Sequence, residues 1–352
     1  MRIEYGVLTD VSVSDIPEDG KFIVPDGVTI IGFNAFRDCV NMTSIVIPDG
    51  VTDIGDLAFL GCKGLTEIII PDSVKNVGYH AFDGCSAITS AIIPLTAINA
   101  IPRINLRTVV ITSGTRIEDG VFEYCSSLTS IVIPDSVVDI GSYVFYCCRG
   151  LTSVTIGKNV TRIGSNAFYG CSSLTSITLP DSVESIGDWA FCSCVELRAI
   201  TIPDSVANIG RNAFRACYKL KKIIIGNGVV NIGNGAFYAT SLKSAHKNYK
   251  AFGLSPDGSL VCRKKTYKVG KRSLVRGILS LCENGLHYCT NLFEIFDYYY
   301  GEYGKDFVIS ECEVSKEQKG ERGSSKRCAR WIIPQRILTR EEVMKTLSEG
   351  RR

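Results

Sequence analysis

Apolar residues recur along this chain at two short spacings nested in a longer one. From Leu151 the sequence reads L-T-S-V-T-I-G-K-N-V-T-R-I-G-S-N-A-F-Y-G-C-S-S, and from Leu174 L-T-S-I-T-L-P-D-S-V-E-S-I-G-D-W-A-F-C-S-C-V-E. The opening six residues alternate apolar and polar, as a short strand with one buried face does. Pro-Asp-Ser or Pro-Asp-Gly then ends the strand, because proline brings no donor and the next residues favour a turn. Ile54, Ala58 and Cys62, four apart with Phe59 beside them, predict one helical turn. The Ile or Val before the first glycine falls at Ile31, Ile54 and Val77, then at Ile140, Ile163, Ile186, Ile209 and Ile232, each step being 23. Strand, turn and helical turn together make one coil of a solenoid, which buries its apolar face only against the next coil.

Ile117 keeps the register although Glu118 replaces the glycine, and the 40 residues from Val77 to Ile117 are one full unit plus 17. One unit is therefore shortened, at 88–105, where I-P-L-T-A-I-N-A-I-P-R-I stands in place of the A-F-x-x-C segment. The phenylalanines of that segment, Phe36 through Phe237, form the most regular apolar column and read as core. Residues 1–24 read as an N-terminal cap, with strands in Y-G-V-L-T-D-V-S-V and K-F-I-V-P around a Pro17-Glu18-Asp19-Gly20 turn. The repeats occupy 25–244.

The consensus L-x-x-I-x-I-P-x-x-V-x-x-I-G-x-x-A-F-x-x-C resembles the BspA-type leucine-rich repeat over about residues 21–242. The resemblance implies an α/β fold, a leucine-rich repeat solenoid with short parallel strands and helical turns. It implies a binding role toward a protein partner and brings no catalytic residues.

Cysteine and charge sharpen this picture. Cys39, Cys62, Cys85, Cys125, Cys148, Cys171, Cys194 and Cys217 share one place in the repeat, eight after the register residue. A column of that kind reads as buried reduced thiol filling the core. Residues 1–240 carry 17 Lys/Arg against 23 Asp/Glu, a net of −6, and residues 241–352 carry 22 against 13, a net of +9. The break predicts a second domain at 248–352, small, basic and α+β. Its strands are expected in Y-K-A-F, S-L-V-C-R, K-T-Y-K-V-G, D-F-V-I-S-E-C-E-V and R-C-A-R-W-I-I-P. Helices are expected over N-L-F-E-I-F-D-Y-Y-Y and after the Thr339–Glu342 capping box. Within it the segments L-C-E-N-G-L-H-Y-C and N-x-F-E-I-F-D-Y-Y resemble a small uncharacterised domain of phage and prophage proteins, which implies no activity.

Outward positions of the strands are mostly Thr and Ser, a nearly neutral surface. Toward the end of the array they turn basic, at Arg198, Lys221, Lys222 and Lys243, and these are the candidate binding residues. Arg263, Glu283, His287 and Cys289 are the weak catalytic candidates of the second domain. Their spacing lacks the paired ligands of a zinc site, so no metal and no cofactor is expected. Two functions compete: a non-enzymatic interaction scaffold, and a C-terminal effector, either an enzyme of ADP-ribosyl-transfer type or a nucleic-acid binder. Scattered lysines do not favour nucleic acid. The N-terminus shows no signal peptide and the chain no stretch apolar enough to span a membrane. A cytoplasmic location is expected, with the cell surface or non-standard secretion as the alternative.

Overall fold

In the computed structural model the described residues are 1–242, the backbone of the strands between 249 and 337, and Glu342. The chain divides into two units, Met1–Thr161 with Gly170–Pro180 and Arg162–Tyr169 with Asp181–Arg352.

In the first unit the alternating segments pair as seven parallel strands: Lys21–Ile23, Ser44–Val46, Glu67–Ile69, Ser90–Ile93, Thr108–Ile111, Ser130–Val132 and Ser153–Thr155. Their inward residues Phe22, Ile45, Ile68, Ala91, Val109 and Ile131 are buried. A second, two-residue ladder runs through Ile30–Ile31, Asp53–Ile54 and Asn76–Val77. It is capped by the antiparallel hairpin Arg2–Glu4 and Val7–Asp10, whose second strand pairs in parallel with Ile30–Ile31. The second unit repeats both devices. Ala199–Ile202 pairs with Lys222–Ile225, and Arg162–Ile163, Ser185–Ile186, Asn208–Ile209 and Asn231–Ile232 follow one another in parallel.

The expected helical turns are not there. The A-F-x-x-C segment is a run of turns with left-handed residues, at φ 56° for Asn34 and 57° for Asp38 in the first coil. Alternate amides leave the coil: Asn34, Phe36 and Asp38 donate to Asp56, Ala58 and Leu60 of the next, at 3.2, 2.7 and 2.7 Å. The amides between them, Ala35, Arg37 and Cys39, donate three residues back, to Gly32, Asn34 and Phe36. An α-helix would spend every amide inside its own coil and leave the next coil's carbonyls unpaired. The i, i+4 spacing of Ile54, Ala58 and Cys62 is thus met without a helix. The repeats form a parallel-strand solenoid, and the α/β description is corrected accordingly.

Every coil packs on the backbone of the one before. A Cβ on Gly78 would lie 2.3 Å from the amide nitrogen of Asp56, and one on Gly210 2.4 Å from the carbonyl carbon of Gly187. Glu118 escapes this rule because the unit before it is the short one, where a 3₁₀ helix, Leu95–Ala100, replaces the turn segment. Ala97, Ile98, Ile101 and Leu106 fill the core there. Arg103 donates to the carbonyl of Val121, and Asp72 Oδ1 accepts from the Thr112 and Ser113 hydroxyls at 2.6 and 2.7 Å. The phenylalanines stack with centroids 4.9 Å apart for Phe36 and Phe59, 4.8 Å for Phe59 and Phe82, and 5.5 Å for Phe122 and Phe145. In the second unit Phe168, Phe191, Phe214 and Phe237 stack at 5.1, 5.3 and 5.9 Å.

From Tyr249 to Ile337 the described backbone is a nine-stranded sheet, paired antiparallel around Tyr249–Leu254, Phe307–Val314 and Trp331–Ile337. The α+β description of this region is not supported by the described residues, which are strands apart from the helical Glu342. The expected helix at 291–300 lies outside them, as does the rest of the one after Thr339.

Candidate interaction surface

Parallel pairing in strict register puts equivalent residues of successive coils side by side, so any outward position becomes a row. In the first unit one row is aliphatic over six successive strands, from Ile23 to Val132. Ile23 pairs with Val46, Val46 with Ile69, Ile69 with Ile92, Ile92 with Val110 and Val110 with Val132. Ile23, Val46, Ile69 and Val132 are 69, 54, 42 and 39% exposed, and Ile92 and Val110 are half-buried. The next residue in the row is Thr155. Glu67, exposed, stands two residues before Ile69, and Asp26, Asp49 and Asp72 occupy the turns that follow the first three strands. The hydroxyls of Thr112 and Ser113 hold the Asp72 carboxyl below its ordinary range. Among the described residues Asp26 and Asp49 form no ion pair.

The predicted basic patch lies on the second unit. Arg198, Lys221 and Lys222 are exposed, Lys222 sits opposite Ala199, and the Lys221 amide donates to the Arg198 carbonyl at 3.0 Å. None of the three has an ion-pair partner among the described residues, whereas neighbouring Lys219 is held by Glu196 at 2.6 Å. Lys243 lies outside the described residues. So do Arg263 and Glu283. His287 and Cys289 fall on one strand, Leu286–Cys289, opposite Cys328 and Lys326.

Two features escaped the sequence reading. Val46, Ile69 and Val132 were visible as outward and Ile92 stands one 23-residue step after Ile69, but Val110 joins them only through the short unit, which puts it 18 residues after Ile92 and Val132 22 after Val110. The signal was present in the I-x-I openings. On the turn side, Tyr146 contacts Tyr124 and Tyr143 in the first unit, at 5.5 and 5.7 Å between centroids. In the second unit the Arg215 guanidinium lies 5.5 Å from Trp189 and 4.9 Å from Tyr238. All but the Tyr143–Tyr146 contact tie side chains of different coils together.

The eight cysteines of the repeat are buried. Seven of them donate to a carbonyl of an earlier coil, as Cys62 does to Phe36 at 3.0 Å and Cys217 to Phe191 at 3.1 Å. Cys125 follows the short unit and its thiol meets the Glu123 carbonyl of its own coil instead, at 3.9 Å. Burial pushes the Cys39 thiol up to about 12, and raises Cys171 and Cys217 as well. Among the described residues no group of three or more His, Cys, Asp or Glu is placed to hold a metal ion, and no helix is long and apolar enough to cross a membrane.

No curated protein matches the chain. Among solved structures it is similar to a leucine rich cell surface protein of Faecalibacterium prausnitzii, at 32% identity and a TM-score of 0.35, over 58% of this chain and 59% of that one. The chain thus spans less than two thirds of the length of that relative. It is also similar to a leucine-rich repeat protein of T. pallidum, at 29% identity and a TM-score of 0.36, over 56% of this chain and 86% of that one. Residues 247–346 match a domain of unknown function, DUF7666, whose description carries no activity. Residues 20–114, 102–172 and 138–251 match the model of the BspA type leucine rich repeat region, together well over half of the sequence. The chain belongs to the BspA type leucine-rich repeat family.

Proposed function

We propose that the protein is a non-enzymatic recognition scaffold whose outward sheet surface binds a protein partner. One observation carries this reading. The aliphatic row of the first unit is not required by the fold, because Thr155, Thr178 and Thr201 hold the same outward position in other coils and are exposed. Side chains that the fold does not need, set in register on a rigid sheet, are what a binding surface consists of. The cationic group Arg198, Lys221 and Lys222, with Lys243 after it, supplies a second contact. The relatives' printed descriptions, one of them a cell surface protein, are consistent with an interaction role.

A photo-crosslinking side chain placed at Lys222 of the full chain tests the reading. A discrete protein adduct, competed away by excess unlabelled chain, is the expected result. No adduct, or an adduct with nucleic acid alone, would overturn it.

A further inference from the structure

Resting on the scaffold reading, we infer that the aliphatic row of the first unit is the seat of a basic amphipathic helix from the partner. The row from Ile23 to Val132 has five intervals of one strand spacing. At about 4.8 Å each it is about 24 Å long. A helix rises 1.5 Å per residue and turns every 5.4 Å, so about sixteen residues span that length with one apolar side chain per coil or nearly so. The residues that present the row are β-branched and stiff, so little side-chain freedom is lost on contact.

Charge selects the rim of that helix. Residues 1–150 carry 9 Lys/Arg against 18 Asp/Glu, a net of −9, while residues 151–242 carry 8 against 5, a net of +3. The excess of carboxylates is represented beside the row by Asp26, Asp49 and Glu67, against Lys21 and Arg107 on the same sheet. Lysine or arginine flanking the apolar face of the partner meets this field, and glutamate is repelled by it. A second copy of the chain fits poorly. Two such faces laid together bring like-signed borders into one interface.

The probe is a synthetic peptide of about sixteen residues with leucines on one helical face and lysines along its rim, compared with its glutamate-rimmed counterpart. Binding to the full chain is read by fluorescence anisotropy. The lysine peptide should bind and the glutamate peptide should be at least about tenfold weaker. Ile69→Lys should weaken the lysine peptide by about tenfold or more. Thr178→Lys, the equivalent position on a later coil, should leave it unchanged. Because Ile69 is exposed, an unaltered urea midpoint will show that Ile69→Lys is folded, and Val46→Lys serves as the second variant. Equal binding of the two peptides, or wild-type binding by both stripe variants, overturns the inference. So does a wild-type dimer in sedimentation velocity that Ile69→Lys dissolves, since the row is then covered by a second copy. If the peptide fails while the Lys222 adduct forms, the scaffold reading stands and this surface is wrong; if both fail, the scaffold reading falls too.

Discussion

The first unit contains the short repeat and the second does not, and the two show which parts of a coil are bound to one another. In the first, the Phe36–Phe59–Phe82 stack is followed by a unit without phenylalanine, yet the strands continue in register from Ser90–Ile93 through Thr108–Ile111 to Ser130–Val132. In the second, Phe168 to Phe237 run on with one ring per coil. Strand pairing and turn-side stacking are therefore separable. The strand ladder is carried by backbone hydrogen bonds that any residue but proline can make. The turn side depends on particular residues: phenylalanine inside, glycine where the previous coil's backbone intrudes, and a thiol that reaches an earlier carbonyl. Where one unit lacks these, its successor shows it, in Glu118 at the glycine place and in Cys125 without its Phe acceptor. The outer faces differ as well: the aliphatic row from Ile23 to Val132 lies in one unit, and Arg198, Lys221 and Lys222, which form no ion pair among the described residues, lie in the other.

The largest test of that separation is Phe191→Ala, in the unbroken stack. Its ring is fully buried between Phe168 and Phe214, and its loss should cost about 3–5 kcal/mol in urea unfolding. Phe122→Ala, next to the short unit, should fall at or below the lower end of that range, because only Phe145 is stacked on it among the described residues. Equal costs at the two sites would mean that stacking between coils adds nothing beyond burial.

A smaller effect separates the two register positions. Gly78→Ala forces a methyl against Asp56 and Gly55 and should destabilise by about 1–3 kcal/mol, the usual range for overpacking. Glu118→Ala should stay within about 0.5 kcal/mol of wild type, as exposed changes do. Arg116 keeps Asp119 and Asp139 as partners after that change. A large penalty at Glu118 would show that its pair with Arg116, at 3.3 Å, contributes more than an exposed pair does.

The smallest effect concerns the clasp over the short unit. Asp72→Ala removes two hydroxyl hydrogen bonds at an exposed site and should cost about 1 kcal/mol or less. Its carboxyl is held below the ordinary 3.8 in the folded chain. The contribution is therefore full above the unfolded value and disappears as pH falls through the folded one. The gap between wild type and Asp72→Ala in thermal midpoint should close on going from neutral pH to below 3.8. A gap that persists in acid would assign the effect to packing.

The periodicity was legible because it is local: alternation marks the strand, Pro-Asp-Ser its end, and the register residue places the buried Phe column and the eight-cysteine column. The 17-residue unit was legible too, by subtraction. The helical turns were misread because an i, i+4 spacing of Ile54, Ala58 and Cys62 fits both a helix and a chain of left- and right-handed turns. Which one forms depends on whether alternate amides find acceptors in the next coil, as Phe36 finds Ala58. No window of sequence contains both partners. The aliphatic row was only half visible for the same reason. Ile23, Val46, Ile69 and Ile92 can be aligned by counting 23, but Val110 and Val132 join the row only once strand pairing has absorbed the shortened unit. The sequence alone settled which residues face inward, since apolar burial follows from alternation within one strand. Which outward residues stand side by side was decided by hydrogen bonding between coils, and that belongs to the tertiary structure.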